Sequence, residues 1–390
     1  MAPDILVTYL ASYLLRIQTF LAYCVFISLY LRRVANTTAP GSVARVAFSA
    51  PIVLSNFAAP ALFSRDTEIC TALAVCFLLS WLGNFKVIGL CLNRGSLTET
   101  LDPVQFATVL CMPITPQTVM QNPLASAVGM VKTGVNRIPR VASNARLADD
   151  GGTAGQLVLG FLIKGVILGV VVFLLGRFEL PVELRNFLYI LGMYAFLSLL
   201  MDGPASLATS MVGLRIAPHF DQPYLSSSIA DFWSRRWNLT AGNALRFLVY
   251  DPIMEGRLVK DGDVSGRRSH SRRQLGVAVS FVVSGMVHEL ILRWSAGAGV
   301  HGVEWRWFLF FSLQGPLLAA ESELKKWAKG RKIELPRPVA IVLTCGFLLL
   351  LGDTLFFYPA VHSGLADRVV GSLSHTYKDL YQSVTGHIQL

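Results

Sequence analysis

Long apolar runs separated by short polar loops dominate the chain. Eight runs are candidates to cross a bilayer: roughly 5–31, 47–63, 69–92, 157–175, 188–211, 275–292, 307–320 and 339–357. A hydrocarbon core needs about 20 helical residues, so most of them qualify on length. The first run carries Arg16, and the second carries Pro51 and Pro60, which membrane helices tolerate. Asp202-Gly203-Pro204 interrupts the fifth and predicts irregular last turns. The seventh is short for a crossing, which predicts tilt, extension by its flanks or partial insertion. The stretch 104–112 is apolar but too short to span, and reads as an interfacial or re-entrant piece. Asn144–Gly155 reads as a flexible surface loop, and the weakly amphipathic tail 363–390 as a surface segment on the lumenal side. The expected fold is all-α: one polytopic helical membrane domain over 1–390, with about eight transmembrane helices.

Composition agrees with that pattern. Of 390 residues, 53% are hydrophobic and 15% charged, with a mean hydropathy of +0.52. Soluble domains carry about 25% charged residues. The net charge is +10 and its placement is informative. The loops 32–46, 93–156, 212–274 and 321–338 hold 24 Lys and Arg, and the alternate set holds seven. The positive-inside rule then places the basic loops in the cytosol and both termini in the lumen. Basic loops of this kind suit anionic membrane lipids and a phosphate-bearing substrate, not nucleic acid. Asn36 and Asn238 open N-x-Thr sequons, yet this topology keeps both cytosolic and unglycosylated. The six cysteines lie in apolar or mildly apolar stretches without metal-ligand spacing, and read as small core residues. The N-terminus has no basic leader and reads as a retained membrane segment.

Two stretches carry candidate chemistry. In the run 275–292, Ser280, Ser284 and His288 recur every fourth residue and share one helix face, with Gly285 leaving room beside them. An ionisable group inside a membrane helix is costly. His288 either bonds a neighbouring helix or acts as a base in a membrane tunnel. It lies 13 residues from Leu275, about 20 Å along a helix. Glu289 points about 100° away and pairs in expectation with Arg293, so the imidazole's partner is expected from another helix. The second stretch, in the basic loop 212–274, interleaves Phe232, Trp233, Arg235, Arg236, Trp237, Arg246 and Tyr250. It is either an interfacial anchor or a re-entrant element that receives a phosphorylated carrier.

The ordered motifs have a family likeness. Asp231-Phe232-Trp233-Ser234-Arg235-Arg236-Trp237-Asn238, followed by Ser284-Gly285-Met286-Val287-His288-Glu289, resembles the membrane-bound O-acyltransferase superfamily, and within it the plant-type wax synthase branch. Tyr250-Asp251-Pro252 matches that branch's middle element. Trp81-Leu82-Gly83-Asn84-Phe85-Lys86 is similar to its WLANFK stretch, and Gln314-Gly315 with Glu321 to its HG…E pattern. The likeness runs from about residue 45 to 330. Ser234 stands where the branch has glycine, adding bulk near substrate, and Gln314 where it has histidine, removing a polar contact.

The resemblance implies acyl transfer from acyl-CoA, as co-substrate, to a lipid hydroxyl inside a helical tunnel. It assigns the family's histidine to His288, as general base, and its polar block residue to Asn238, which either donates to the thioester carbonyl or its oxyanion or simply orders the loop. Trp233, Arg235, Arg236, Trp237 and Ser284 are the expected substrate contacts. No metal or other cofactor is implied. A long-chain alcohol is the leading acceptor and a sterol the rival, in the endoplasmic reticulum membrane with acyl-CoA entering from the cytosol. A transporter would instead show inverted repeats, and none is found; a silent scaffold is the third reading. Arg16, Lys164, Asp202 and Asp353 are expected to face the bundle interior or an interface, and Lys86 to snorkel to the cytosolic surface. Arg267, Arg268, Arg272 and Arg273 read as topology signals and lipid contacts, with CoA binding the lesser alternative. The oligomeric state is open.

Overall fold

A computed structural model describes residues 3–116, 154–212, 214, 216–261 and 269–386. Most of the 144–155 stretch, with Arg267 and Arg268, lies outside them. The described residues form helices and turns, with one isolated bridge between Pro116 and Ile216. The long helices are α1 (Pro3–Thr37), α2 (Val43–Ala58), α3 (Ile69–Cys91), α4 (Pro103–Cys111), α5 (Ala154–Arg177) and α6 (Val182–Val212). Three short helices follow: α7 (Ile229–Asp231), α8 (Leu239–Leu245) and α9 (Asp251–Glu255). Then come α10 (His270–Ala296), α11 (Arg306–Ser312), α12 (Gln314–Gly330), α13 (Arg337–His362) and α14 (Leu365–Gly386). Among the described residues seven helices are long and apolar enough to cross a membrane: Thr8–Thr37, Val43–Leu62, Ile69–Cys91, Leu159–Arg177, Val182–Val212, His270–Ala296 and Arg337–His362. The expected eighth, 307–320, is divided between α11 and α12 by a turn at Leu313. Neither piece, of 7 and 17 residues, is long enough to span by itself.

Helix α6 stays helical through Pro204, unlike the irregular turns expected there. Proline removes a single backbone donor, and neighbouring helices hold the rest. One such tie is the ion pair of Lys164 on α5 with Asp202. Arg16 pairs with Glu68 in the same way, and Asn186 donates to Asp353. The stretch 104–112 is a packed helix, not a surface piece. Asp102 and Gln105 form its capping box, and Phe106, Val109 and Leu110 are fully buried against α1, α2 and α3. Lys86 does not snorkel. It is buried, and its Nζ donates 2.6 Å bonds to Val109 O and Met112 O. The carbonyls at the end of α4 have no intrahelical partners, so an ammonium there satisfies them and the helix dipole together.

Three packing relations place the site. Phe77, Trp81, Leu82 and Phe85 of α3, Met201 of α6 and Ala241 and Ala244 of α8 form one cluster, onto which Val283, Val287 and Ile291 of α10 pack. Asn84 of α3 bonds Asn56 (2.8 Å) and Val53 O (3.1 Å) of α2, and Tyr23 of α1 reaches Asn56 (2.9 Å). This clasp fixes the segment that carries Trp81. Finally, α10 and the α11–α12 pair touch backbone to backbone. A Cβ on Gly285 would stand 2.7 Å from Phe308 O, and one on Gly315 3.0 Å from Ala278 Cα. The tail helix α14 does more than lie on a surface: Val370, Leu373 and Tyr377 pack onto the α5–α6 pair.

Candidate active site

His288 points from α10 into an aromatic box. Its ring stacks on Phe311 of α11 (centroids 3.9 Å apart, 25° between planes) and meets Trp81 of α3 edge-on at 4.8 Å. Trp307 stands 6.3 Å away. The imidazole is half-buried. Its Nδ1 lies 2.7 Å from Ser284 O. A carbonyl only accepts, so Nδ1 carries the proton and Nε2 keeps its lone pair. The orienting partner is therefore on the same helix, one turn back, and not on another helix as expected. The Ser284 hydroxyl is 3.5 Å from Nδ1, so Ser284 serves the imidazole mainly through its backbone.

Glu289 pairs with Arg293 at 3.1 Å, as expected, and does more. Its buried carboxylate accepts Trp305 N–H (2.7 Å) and Phe308 N–H (3.4 Å), capping α11 from outside. An anion at a helix start satisfies unpaired donors and the dipole. Phe311 and Trp307 are thereby set against His288.

Glu321 of α12 performs the matching task for the Arg-aromatic block. It accepts Ile229 N–H (2.8 Å) and Ala230 N–H (3.1 Å) at the start of α7. Trp233 lies against Phe281, Phe310 and Phe311, and its Nε1 donates to Gln314 Oε1 at 2.9 Å. Gln314 therefore supplies a polar contact where its replacement of histidine was expected to remove one. Phe311 joins the block to the histidine, touching Trp233 on one side and His288 on the other. Arg236 is committed to Asp231 (2.8 Å) and to Asp221 O (3.1 Å). Among the described residues Arg235 makes no ion pair and is exposed. Ser234 is also exposed and bonds Ala230 O within its own turn, so its side chain does not crowd the box. Trp237 stacks on Phe232 at 5.4 Å and packs edge-on against Phe220. Tyr250 packs onto Gly276 near the start of α10.

Asn238 closes the block with a left-handed backbone, φ 38° and ψ 64°. Its Oδ1 caps α8 by accepting Ala241 N–H at 3.1 Å, while among the described residues its Nδ2 makes no hydrogen bond. Asn238 and His288 are brought to the same region because α8 and α10 share the Trp81 cluster. Sequence reasoning assigned no role to Trp81, Phe311 or His219. Trp81 lay inside a recognised motif, and Phe311 carried no mark beyond apolar periodicity. His219 sits in a basic loop without helical spacing.

A histidine boxed by aromatic rings stands beside an Arg-aromatic block in a polytopic helical membrane protein. Residues 216–313 match the model of the Membrane bound O-acyl transferase family. The chain is 31% identical over 304 residues to the probable long-chain-alcohol O-fatty-acyltransferase 3 of Arabidopsis thaliana, covering 75% of each protein. It is 29% identical over 325 residues to acyl-CoA–sterol O-acyltransferase 1 of the same plant, covering 81% of this chain and 82% of the relative. It is 32% identical over 191 residues to the long-chain-alcohol O-fatty-acyltransferase of Simmondsia chinensis, covering 48% and 51%. The chain belongs to the membrane bound O-acyl transferase family, in the branch that its motif order resembled, and is an acyltransferase.

Proposed function

We propose that the protein esterifies a long-chain fatty alcohol with the acyl group of acyl-CoA, giving a wax ester, with His288 as general base. The observation that carries this is the state of the imidazole: Nδ1 held by Ser284 O, leaving Nε2 as the only basic nitrogen inside an apolar box. The alcohol O–H gives its proton to Nε2 as its oxygen attacks the thioester carbon. The oxyanion that forms is stabilised by the free Asn238 Nδ2. The intermediate then expels the CoA thiolate, which takes the proton back from Nε2 and leaves as the thiol. Exposed Arg235 offers the CoA phosphates a contact at the cytosolic mouth, with Trp233 and Trp237 shaping the wall behind it. The dry aromatic box limits competing hydrolysis. The reading places the enzyme in the endoplasmic reticulum membrane, with the acceptor entering from the bilayer.

Sterol is the second acceptor reading, favoured by the long match to the Arabidopsis sterol acyltransferase. Microsomes carrying the chain, labelled palmitoyl-CoA and a panel of fatty alcohols and sterols distinguish the two. Wax ester is the expected product, and His288→Ala is expected to lower its formation by about 10²-fold or more at unchanged protein level. Ester formation that survives His288→Ala removes the base from its role. Sterol ester alone moves the assignment to the second reading.

A further inference from the structure

A second buried histidine stands behind the Asn238 turn. His219 lies in the connection after α6 and is only 2% exposed. Its backbone carbonyl accepts Leu239 N–H at 2.8 Å, and its Nδ1 lies 2.8 Å from Thr240 Oγ1. Two residues on, Asp221 N–H donates to Arg236 O at 2.9 Å, and between them Phe220 packs edge-on against Trp237 at 5.4 Å. The strap 219–221 thus grips residues 236, 237, 239 and 240, on both sides of Asn238. Asn238 is a non-glycine residue at φ 38°, a conformation Asn adopts more readily than most residues and that these contacts hold on both sides. Asn238 Oδ1 is held by the α8 cap, so the turn and that cap together set the amide plane and the direction of Nδ2.

We propose that His219 is a positioning residue: through Nδ1 and Thr240 it holds the Asn238 turn so that Nδ2 faces the reacting carbonyl. This rests on the assignment of Asn238 to the site. The bond to Thr240 also fixes the first turn of α8, whose Ala241 and Ala244 pack on Trp81, so the same contact ties the turn to the wall of the histidine box. The contact with Thr240 is made by Nδ1, so that nitrogen ties the side chain to the Asn238 turn.

The two nitrogens can be separated by substitution. Asn places a polar atom where Nδ1 stands, and Gln places one where Nε2 stands. Ester formation from labelled palmitoyl-CoA, with hexadecanol and cholesterol supplied together, is measured in microsomes for His219→Ala, His219→Asn, His219→Gln and Asn238→Ala at matched protein level. Asn238→Ala is expected to lose most of its turnover. His219→Ala and His219→Gln are expected to lose about tenfold or more in kcat, as misplaced catalytic groups do, with KM for palmitoyl-CoA within about twofold. His219→Asn is expected to return to within about threefold of the unsubstituted enzyme, a rescue that loss of folding does not give. Full activity in His219→Ala beside an inactive Asn238→Ala overturns the inference alone. Rescue by Gln and not by Asn also overturns it, by transferring the role to Nε2. Full activity in Asn238→Ala removes the site assignment and this inference with it.

Discussion

At the scale of single residues, backbone atoms do much of the work at this site. The Ser280-Ser284-His288 stripe was legible as a periodicity of four, and it marked the face of α10 that carries His288. What the stripe did not reveal is that His288 binds the Ser284 carbonyl rather than a polar side chain elsewhere. A backbone acceptor is available at every position and leaves no residue type to read. It follows that Ser284→Ala keeps the imidazole oriented, and its kcat is expected to fall by no more than about fivefold, against about 10²-fold for His288→Ala. Steady-state assays of the two variants in one membrane preparation check this. A second expectation concerns His219. Burial lowers its pKa from 6.5 to about 4, with Asp202 opposing and Lys86 and Lys164 reinforcing the shift. The folded state holds this ring neutral while the unfolded chain protonates it, so its contribution to stability is full above about pH 6.5 and declines as pH falls toward about 4. His219→Asn is expected to flatten that part of the acid stability profile, read as midpoint temperature against pH in detergent.

At the scale of elements, two carboxylates on one helical hairpin organise everything around the histidine. Glu289 of α10 caps α11, and Glu321 of α12 caps α7. The sequence marked both acids within recognised motifs, yet their service as caps for other segments depends on tertiary contacts that spacing does not encode. Lys86 failed as a snorkelling residue for the same reason: its acceptors belong to α4, a helix whose burial the local pattern did not show. Glu289→Ala is expected to destabilise the protein by about 2 kcal/mol, since it orphans two backbone donors, and Glu289→Gln by less, since an acceptor oxygen remains. Thermal unfolding in detergent measures the difference. Gly285→Ala acts by another route. Its Cβ meets the Phe308 backbone at 2.7 Å, so α11 has to move away, carrying Phe311 off the imidazole. The expected result is a loss of turnover exceeding that of Ser284→Ala, although both changes are one atom in size.

At the scale of the whole molecule, the number of crossings decides whether the two ends of the chain lie on the same side of the membrane. Among the described residues seven helices qualify by length and apolarity, and an odd count would put the two ends of the chain on opposite sides. The contacts of α10 argue for an eighth crossing made of two pieces. Gly285 lies beside Phe308 and Ala278 beside Gly315, so the chain runs back along α10 as it advances. Glu321 then reaches α7, within the basic segment that precedes α10. The α11–α12 pair thus runs back toward the side from which α10 began, and its break at Leu313 and its charged final turns set it apart from a simple apolar span. That path would keep all four basic loops on one face, the arrangement that the 24 to seven division of Lys and Arg favours. Single cysteines at His270 and Lys332, in a chain whose six native cysteines are replaced by serine, are expected to react equally with an impermeant maleimide added to sealed, cytosol-side-out microsomes. Protection of Lys332 with labelling at His270 implies seven crossings, and would move the loop between α12 and α13 to the face opposite the Arg-aromatic block.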